Sequence, residues 1–241
     1  MKSDSGNVLF LILVAIALFI ALSYAVTGSM RTGGSNEKTE ATNAAAAALI
    51  QYASSLSQSV LRLRMSGNCS ETTLDFSNSI FKKSDGTPYN TANSNAPSNK
   101  SCHLFDAAGA GAIPVPMPVG IRETPLDSAV QGSFRVAQVK NLGTDGVSGT
   151  QSANDIIYFI GGISRKGCIA INDVLKVNNP SSEPPVVTFS GCSDMSGGSY
   201  TNGSLAGSCI VSEANIDGKN AFCYKLNTGN YYQFIYALIE R

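Results

Sequence analysis

The sequence predicts an α+β fold: a long N-terminal helix, made of a membrane segment and an amphipathic stalk, followed by an irregular antiparallel β-rich domain with disulfides. Three observations predict it. Residues 8–26 read VLFLILVAIALFIALSYAV, in which only Ser23 falls outside the apolar set and no charge appears. At about 1.5 Å of rise per residue that run approaches the roughly 30 Å of a bilayer's hydrocarbon core. Residues 36–66 repeat apolar positions at helical spacing, and beyond Gly67 that period gives way to short apolar runs between Gly/Ser/Asn turns.

Taken in order, residues 1–6 (MKSDSG) are a short hydrophilic leader, and residues 7–27 form the transmembrane or assembly segment. Within that segment Val8, Leu9, Phe10, Leu11, Phe19 and Tyr24 supply bulk, while Ala15 and Ala21 are small positions at which apolar helices approach closely. Ser23-Tyr24-Ala25 places small residues where a signal peptidase reads, so a cleaved secretory signal is the alternative reading of the same run. Lys2 and the terminal amine on one side balance Arg31 and Lys38 on the other, so the positive-inside rule assigns no orientation. Residues 28–35 contain Gly28, Gly33 and Gly34 and read as a flexible joint.

The amphipathic helix follows over 36–66. Glu37 and Glu40 fall in its first turn and Gly67 stands where it should stop. Leu49, Ala53, Leu56, Val60 and Leu63 share one face, with Gln51, Ser55, Gln58 and Arg62 opposite. The apolar face is expected to pack on the following domain, and part of the helix to contact a partner.

Residues 67–241 read as one extracytoplasmic β-rich domain. Residues 84–101 and 107–120 are Asn/Ser/Pro-rich and Gly/Pro-rich loops. Strands are expected at 134–139, 156–160, 168–171, 186–189, 222–226 and 231–239, the second and last nearly all apolar, as in strands buried on both faces. Cys69, Cys102, Cys168, Cys192, Cys209 and Cys223 all lie beyond the apolar segment, and no two are spaced C-x-x-C. Disulfides in an oxidising compartment are the natural reading. Cys69 with Cys102 is the expected pair, because the segment between them is loop-like and gains from closure.

Charge is scarce: 17 Lys+Arg against 17 Asp+Glu, 14% of 241 residues, with no net charge. That excludes the basic footprint of a nucleic-acid binder. Polarity rests instead on 31 Ser, 19 Asn, 14 Thr and 23 Gly, a surface suited to contact with glycans or protein. Catalytic signatures are missing: no G-x-S-x-G, no P-loop, and a lone His103 beside Cys102 in a loop, expected at the surface with no nucleophile. Asp217 and Asn220 offer oxygen ligands, but without EF-hand spacing no calcium site is expected, nor any other metal or cofactor. The chain reads as a non-enzyme.

A leader ending in Gly6, an apolar run immediately after it, a long amphipathic helix and a cysteine-bearing β-rich domain resemble the type IV pilin and pseudopilin superfamily, with residues 1–66 carrying the likeness. The resemblance implies cleavage between Gly6 and Asn7 by a prepilin peptidase, methylation of the new N-terminus, and packing of the apolar segment among other pilin-like subunits or on an assembly platform. The family usually has Phe or Met at the first mature position and Glu at the fifth; this chain has Asn7 and Leu11. That glutamate pairs with a neighbouring subunit's N-terminus, so its absence resembles the minor, tip-located subunits. The expected role is that of a structural subunit of a surface filament or a type II secretion pseudopilus. The lipid bilayer would be met through residues 8–26, and the location would be the inner membrane with the domain in the periplasm, or a cell-surface filament. The alternative is a secreted or membrane-tethered binding module.

Overall fold

Residues 38–65 form helix α1: the run is rich in Ala, Leu, Gln and Arg, and neither Gly nor Pro interrupts it. The computed structural model describes residues 38–80, 86, 88, 90–123, 134–139, 155–190, 210–212, 214–216, 218–227 and 229–240, with the backbone alone at 134–139, 188–190, 210–212 and 214. Internal contacts divide the chain after Ala41; of the first unit the described part is the opening turn of α1, and residues 42–241 make the second. At the other end of α1, Asn68 takes the left-handed conformation (φ 50°) and the Cys69 N–H bonds back to the Leu63 carbonyl at 3.1 Å, which stops the helix.

Ala46, Leu49, Ala53, Leu56, Val60 and Leu63 are all buried, at alternating spacings of three and four, so one stripe of α1 enters the core. It meets a six-stranded sheet of order β1-β2-β6-β5-β3-β4. The strands are β1 (Phe134–Val139), β2 (Asp155–Ile163), β3 (Val186–Ser190), β4 (Ile210–Ser212), β5 (Ala221–Leu226) and β6 (Tyr232–Ile239). β2 and β6, rich in Ile, Phe and Tyr, lie adjacent inside the sheet, and all nine residues of β2 are buried. Alternation divides their side chains between two cores. Tyr158, Ile160, Phe234 and Cys223 face the core that holds the α1 stripe, while Phe159, Ile235, Phe222 and Tyr224 face the other, closed by Val177, Val187 and Ile216. Edge-to-face rings link the first core: Tyr52 of α1 to Tyr158 at 6.3 Å, and Tyr158 to Phe234 at 6.2 Å.

A second helix, α2 (Arg165–Leu175), follows β2 directly. The Ser164 side chain caps it by accepting the Gly167 N–H at 3.1 Å, and Lys176 closes it in the left-handed conformation. Gly167 is required by a close approach: a Cβ there would stand 2.7 Å from the Ile121 carbonyl oxygen and 2.7 Å from its Cβ.

Four expectations are corrected. Among the described residues no helix is long and apolar enough to cross a membrane, so the long helix joining a membrane segment to a stalk is not found; residues 1–37, with the leader and the joint, lie outside the described residues. From Ala46 onward α1 is no projecting stalk, because its apolar stripe is seated in the domain core. The sheet is mixed: β3 runs parallel to β5, while the other strand pairs are antiparallel. Residues 168–171 are helical, because Ser164 caps a helix there and burial falls on Cys168, Ile171 and Asn172, positions that share one helical face.

Candidate functional site

A strap runs along α1. Residues 110–120 run antiparallel to the helix and are fastened at three points: Arg62 Nη2 donates to the Ala110 carbonyl, the Val115 N–H donates to the Tyr52 hydroxyl oxygen at 3.1 Å, and Thr42 Oγ1 donates to the Gly120 carbonyl at 3.3 Å. Twenty helical steps from Thr42 to Arg62 cover about 30 Å. The strap follows them with ten residues that begin at Gly111 in the left-handed conformation (φ 63°) and end in a 3-10 turn over Val119–Ile121. Between those two points Pro114, Pro116 and Pro118 favour an extended run, and Pro118 sits at φ −58°, ψ 136°.

Burial along the strap is uneven. Met117 is buried and Pro114 half-buried beneath it, whereas Ile113, Pro116 and Val119 face outward, Ile113 at 76% and Val119 at 74% exposure. Ile113 and Val119 are thus large apolar side chains left at the surface of the strap. Sequence patterning pointed to the helix but read the strap as a plain loop. The signal that finds it is the Pro-x-Pro-x-Pro run between apolar residues.

The loops between Cys69 and the strap are organised by one buried carboxylate. Asp75, 1% exposed, accepts from the Ser77 N–H at 2.6 Å through Oδ1 and from the Asn93 N–H at 2.8 Å through Oδ2, and His103 Nε2 lies 3.4 Å from Oδ2. Asn93 is buried as well, and its Nδ2 donates to the Thr72 and Leu74 carbonyls, each at 2.8 Å. The Cys69–Cys102 disulfide closes the same region, the pairing expected from sequence. His103 is thus not a surface loop residue: its side chain is 17% exposed and turned towards Asp75. Nearby, Asp106 is held below the usual carboxylate range by the Ala108 N–H and then by Lys100.

At the end of the sheet, Arg165 donates through Nε to Glu183 Oε1 and through Nη2 to the Ser182 carbonyl, both at 2.7 Å. This tie secures Ser181 and Ser182, which hold the left-handed conformation at φ 54° and 61°. Both charged partners are half-exposed, so the pair contributes less than about 1 kcal/mol. Burial, then the Glu183 charge, raises the Tyr232 hydroxyl above its ordinary value.

Of the residues singled out in sequence, Gly6, Asn7, Val8, Leu9, Phe10, Leu11, Ala15, Phe19, Ala21 and Tyr24 lie outside the described residues, as do Cys192, Cys209 and Asp217. The remaining four cysteines form two bonds, Cys69–Cys102 and Cys168–Cys223. Among the described residues no three His, Cys, Asp or Glu side chains are grouped to hold a metal ion. No protein-family model, curated protein or solved structure matches the chain.

Proposed function

We propose that this chain is a non-enzymatic, membrane-anchored, pilin-like assembly protein of a bacterial surface filament or secretion pseudopilus, of the minor or tip-located kind. The observation that carries the reading is an order of segments: a leader ending in Gly6, an uncharged apolar run over 8–26, and an amphipathic helix over 38–65 seated by one stripe on a disulfide-closed β-rich domain. The domain would face the periplasm or the cell exterior, where disulfides persist. Leu11 in place of a glutamate suits a subunit that ends a stack rather than continues one. The exposed Ile113, Pro116 and Val119 of the strap support a role in contact between subunits.

Mass spectrometry of the mature N-terminus tests the proposal. The expected result is a chain beginning at methylated Asn7. A start at Val26 overturns it in favour of a secreted binding module, and an intact Met1 overturns it in favour of a simple anchor.

A further inference from the structure

His103 is the single histidine of the chain. Between about pH 5 and 8, histidine and the terminal amine are the groups that ordinarily change charge, while Lys, Arg, Asp and Glu keep theirs. The side-chain response to acid is therefore concentrated at one imidazole, and the fold sets that imidazole against a buried carboxylate.

Oδ2 of Asp75 is the meeting point of three segments. It accepts the Asn93 N–H at 2.8 Å and faces His103 Nε2 at 3.4 Å, while Oδ1 accepts the Ser77 N–H at 2.6 Å. Backbone bonds frame the pair. The Asp75 N–H donates to the Cys102 carbonyl at 3.0 Å and the Leu104 N–H to the Asp75 carbonyl at 2.9 Å, so Asp75 and His103 are partners in a parallel bridge. The His103 carbonyl in turn accepts the Ala110 N–H at 2.9 Å, where the strap begins. A neutral imidazole offers Oδ2 a dipole. Protonated from solvent, which an exposure of 17% admits, it offers a full charge to a carboxylate that is 1% exposed and so weakly screened. Among the described residues, the other charged groups on the segments around the ring already have partners: Lys100 and Asp106 pair at 2.9 Å, Arg64 of α1 pairs with Glu71 at 3.0 Å, and Arg62 of α1 donates to the Ala110 carbonyl. Asp106 feels the charge of His103 only after its own bonds to the Ala108 N–H and Lys100. Asp75 is thus the group that gains most when the ring becomes a cation.

We propose that His103 and Asp75 form an acid-closed latch: the protonated imidazole holds the segments at 72–77, 93–95 and 100–104 together at the root of the strap, and the neutral imidazole lets them open more readily. The stabilisation is electrostatic, so it is present on the acid side and is lost as pH rises and the ring gives up its proton.

NMR tests it on the full chain in detergent micelles, because a lone histidine gives one imidazole C2 proton signal. As pH is taken from 8 to 5.5, that signal and the amide signals of Ser77 and Asn93 should move with one common midpoint. Hydrogen-exchange protection at the same two amides, corrected for the intrinsic pH dependence of exchange, should be roughly three- to tenfold greater at pH 5.5 than at pH 8. In His103→Gln, whose side chain stays neutral, protection should be equal at the two pH values. Amides that stay still while the imidazole titrates overturn the latch, as does an imidazole that keeps one charge across the range, or a pH effect of undiminished size in the glutamine variant. If that variant does not fold, the wild-type titration decides: a shared midpoint upholds the latch and separate midpoints overturn it.

Discussion

The region between Cys69 and Gly120 and the sheet that follows it are stabilised by different means. In the sheet, backbone ladders join the strands and apolar side chains fill both faces of β2, β5 and β6. In the loop region order comes from side chains reaching backbone: the Asp75 carboxylate, the Asn93 amide and three fastenings of the strap. The disulfides reflect the contrast. Cys69–Cys102 spans 33 residues and Cys168–Cys223 spans 55, and the loss of unfolded-chain entropy is worth about 4 kcal/mol for each. The first closes a region without a ladder; the second ties a helix to a strand that already has one. Leu74, Phe76, Leu104 and Met117 of the loop region enter the same core, but where no ladder joins the backbone, directional bonds to a few buried polar groups take its place, and each such group becomes hard to replace.

The most disruptive way to break this contrast is through the sheet. Phe234→Ala, which empties the centre of the ring cluster with Tyr158, should cost about 4 kcal/mol and lower hydrogen-exchange protection throughout residues 42–241 together. Asp75→Ala should cost about 3 kcal/mol, since it strands the N–H groups of Ser77 and Asn93, and the faster exchange should be confined to residues 70–105. If the two variants give the same exchange map, the two regions are one cooperative unit and the contrast fails.

The smallest effect separates them by pH. Burial raises the hydroxyls of Tyr158 and Tyr232 in the sheet and of Tyr52 beneath the strap. Above about pH 10 the unfolded chain releases these protons while the folded chain holds them. Their contribution is therefore fully present below about pH 10 and is lost as pH climbs through the folded values. Urea midpoints measured from neutral to strongly alkaline pH should fall on that side, and less steeply in Tyr52→Phe. An unchanged slope in that variant would assign the whole effect to the sheet.

Much of the sheet was legible. Strands expected at 134–139, 156–160, 186–189, 222–226 and 231–239 overlap β1, β2, β3, β5 and β6, because runs rich in β-branched and aromatic residues between turn residues have few other uses. The stripe of α1 was legible for the same kind of reason, a period that only a helix satisfies. Cys168 to Ile171 misled because four apolar residues are too few to show a period, and the deciding cap at Ser164 lies outside them. The parallel β3–β5 pairing was hidden, since no local pattern records strand direction. Asp75, Asn93 and His103 are 18 and 10 residues apart along the chain, and nothing in any one of those segments announces the others.

The strap acts as a gauge on the helix it accompanies. Inserting two residues between Thr42 and Arg62 would lengthen α1 by about 3 Å and turn Arg62 by roughly 200° about the helix axis, so no change of strap length alone would restore both end fastenings. A change of length in only one of the two would leave Tyr52 and Val115 out of step. The permitted changes of helix length thus come close to whole turns, about seven residues for two turns, with the strap lengthened to match.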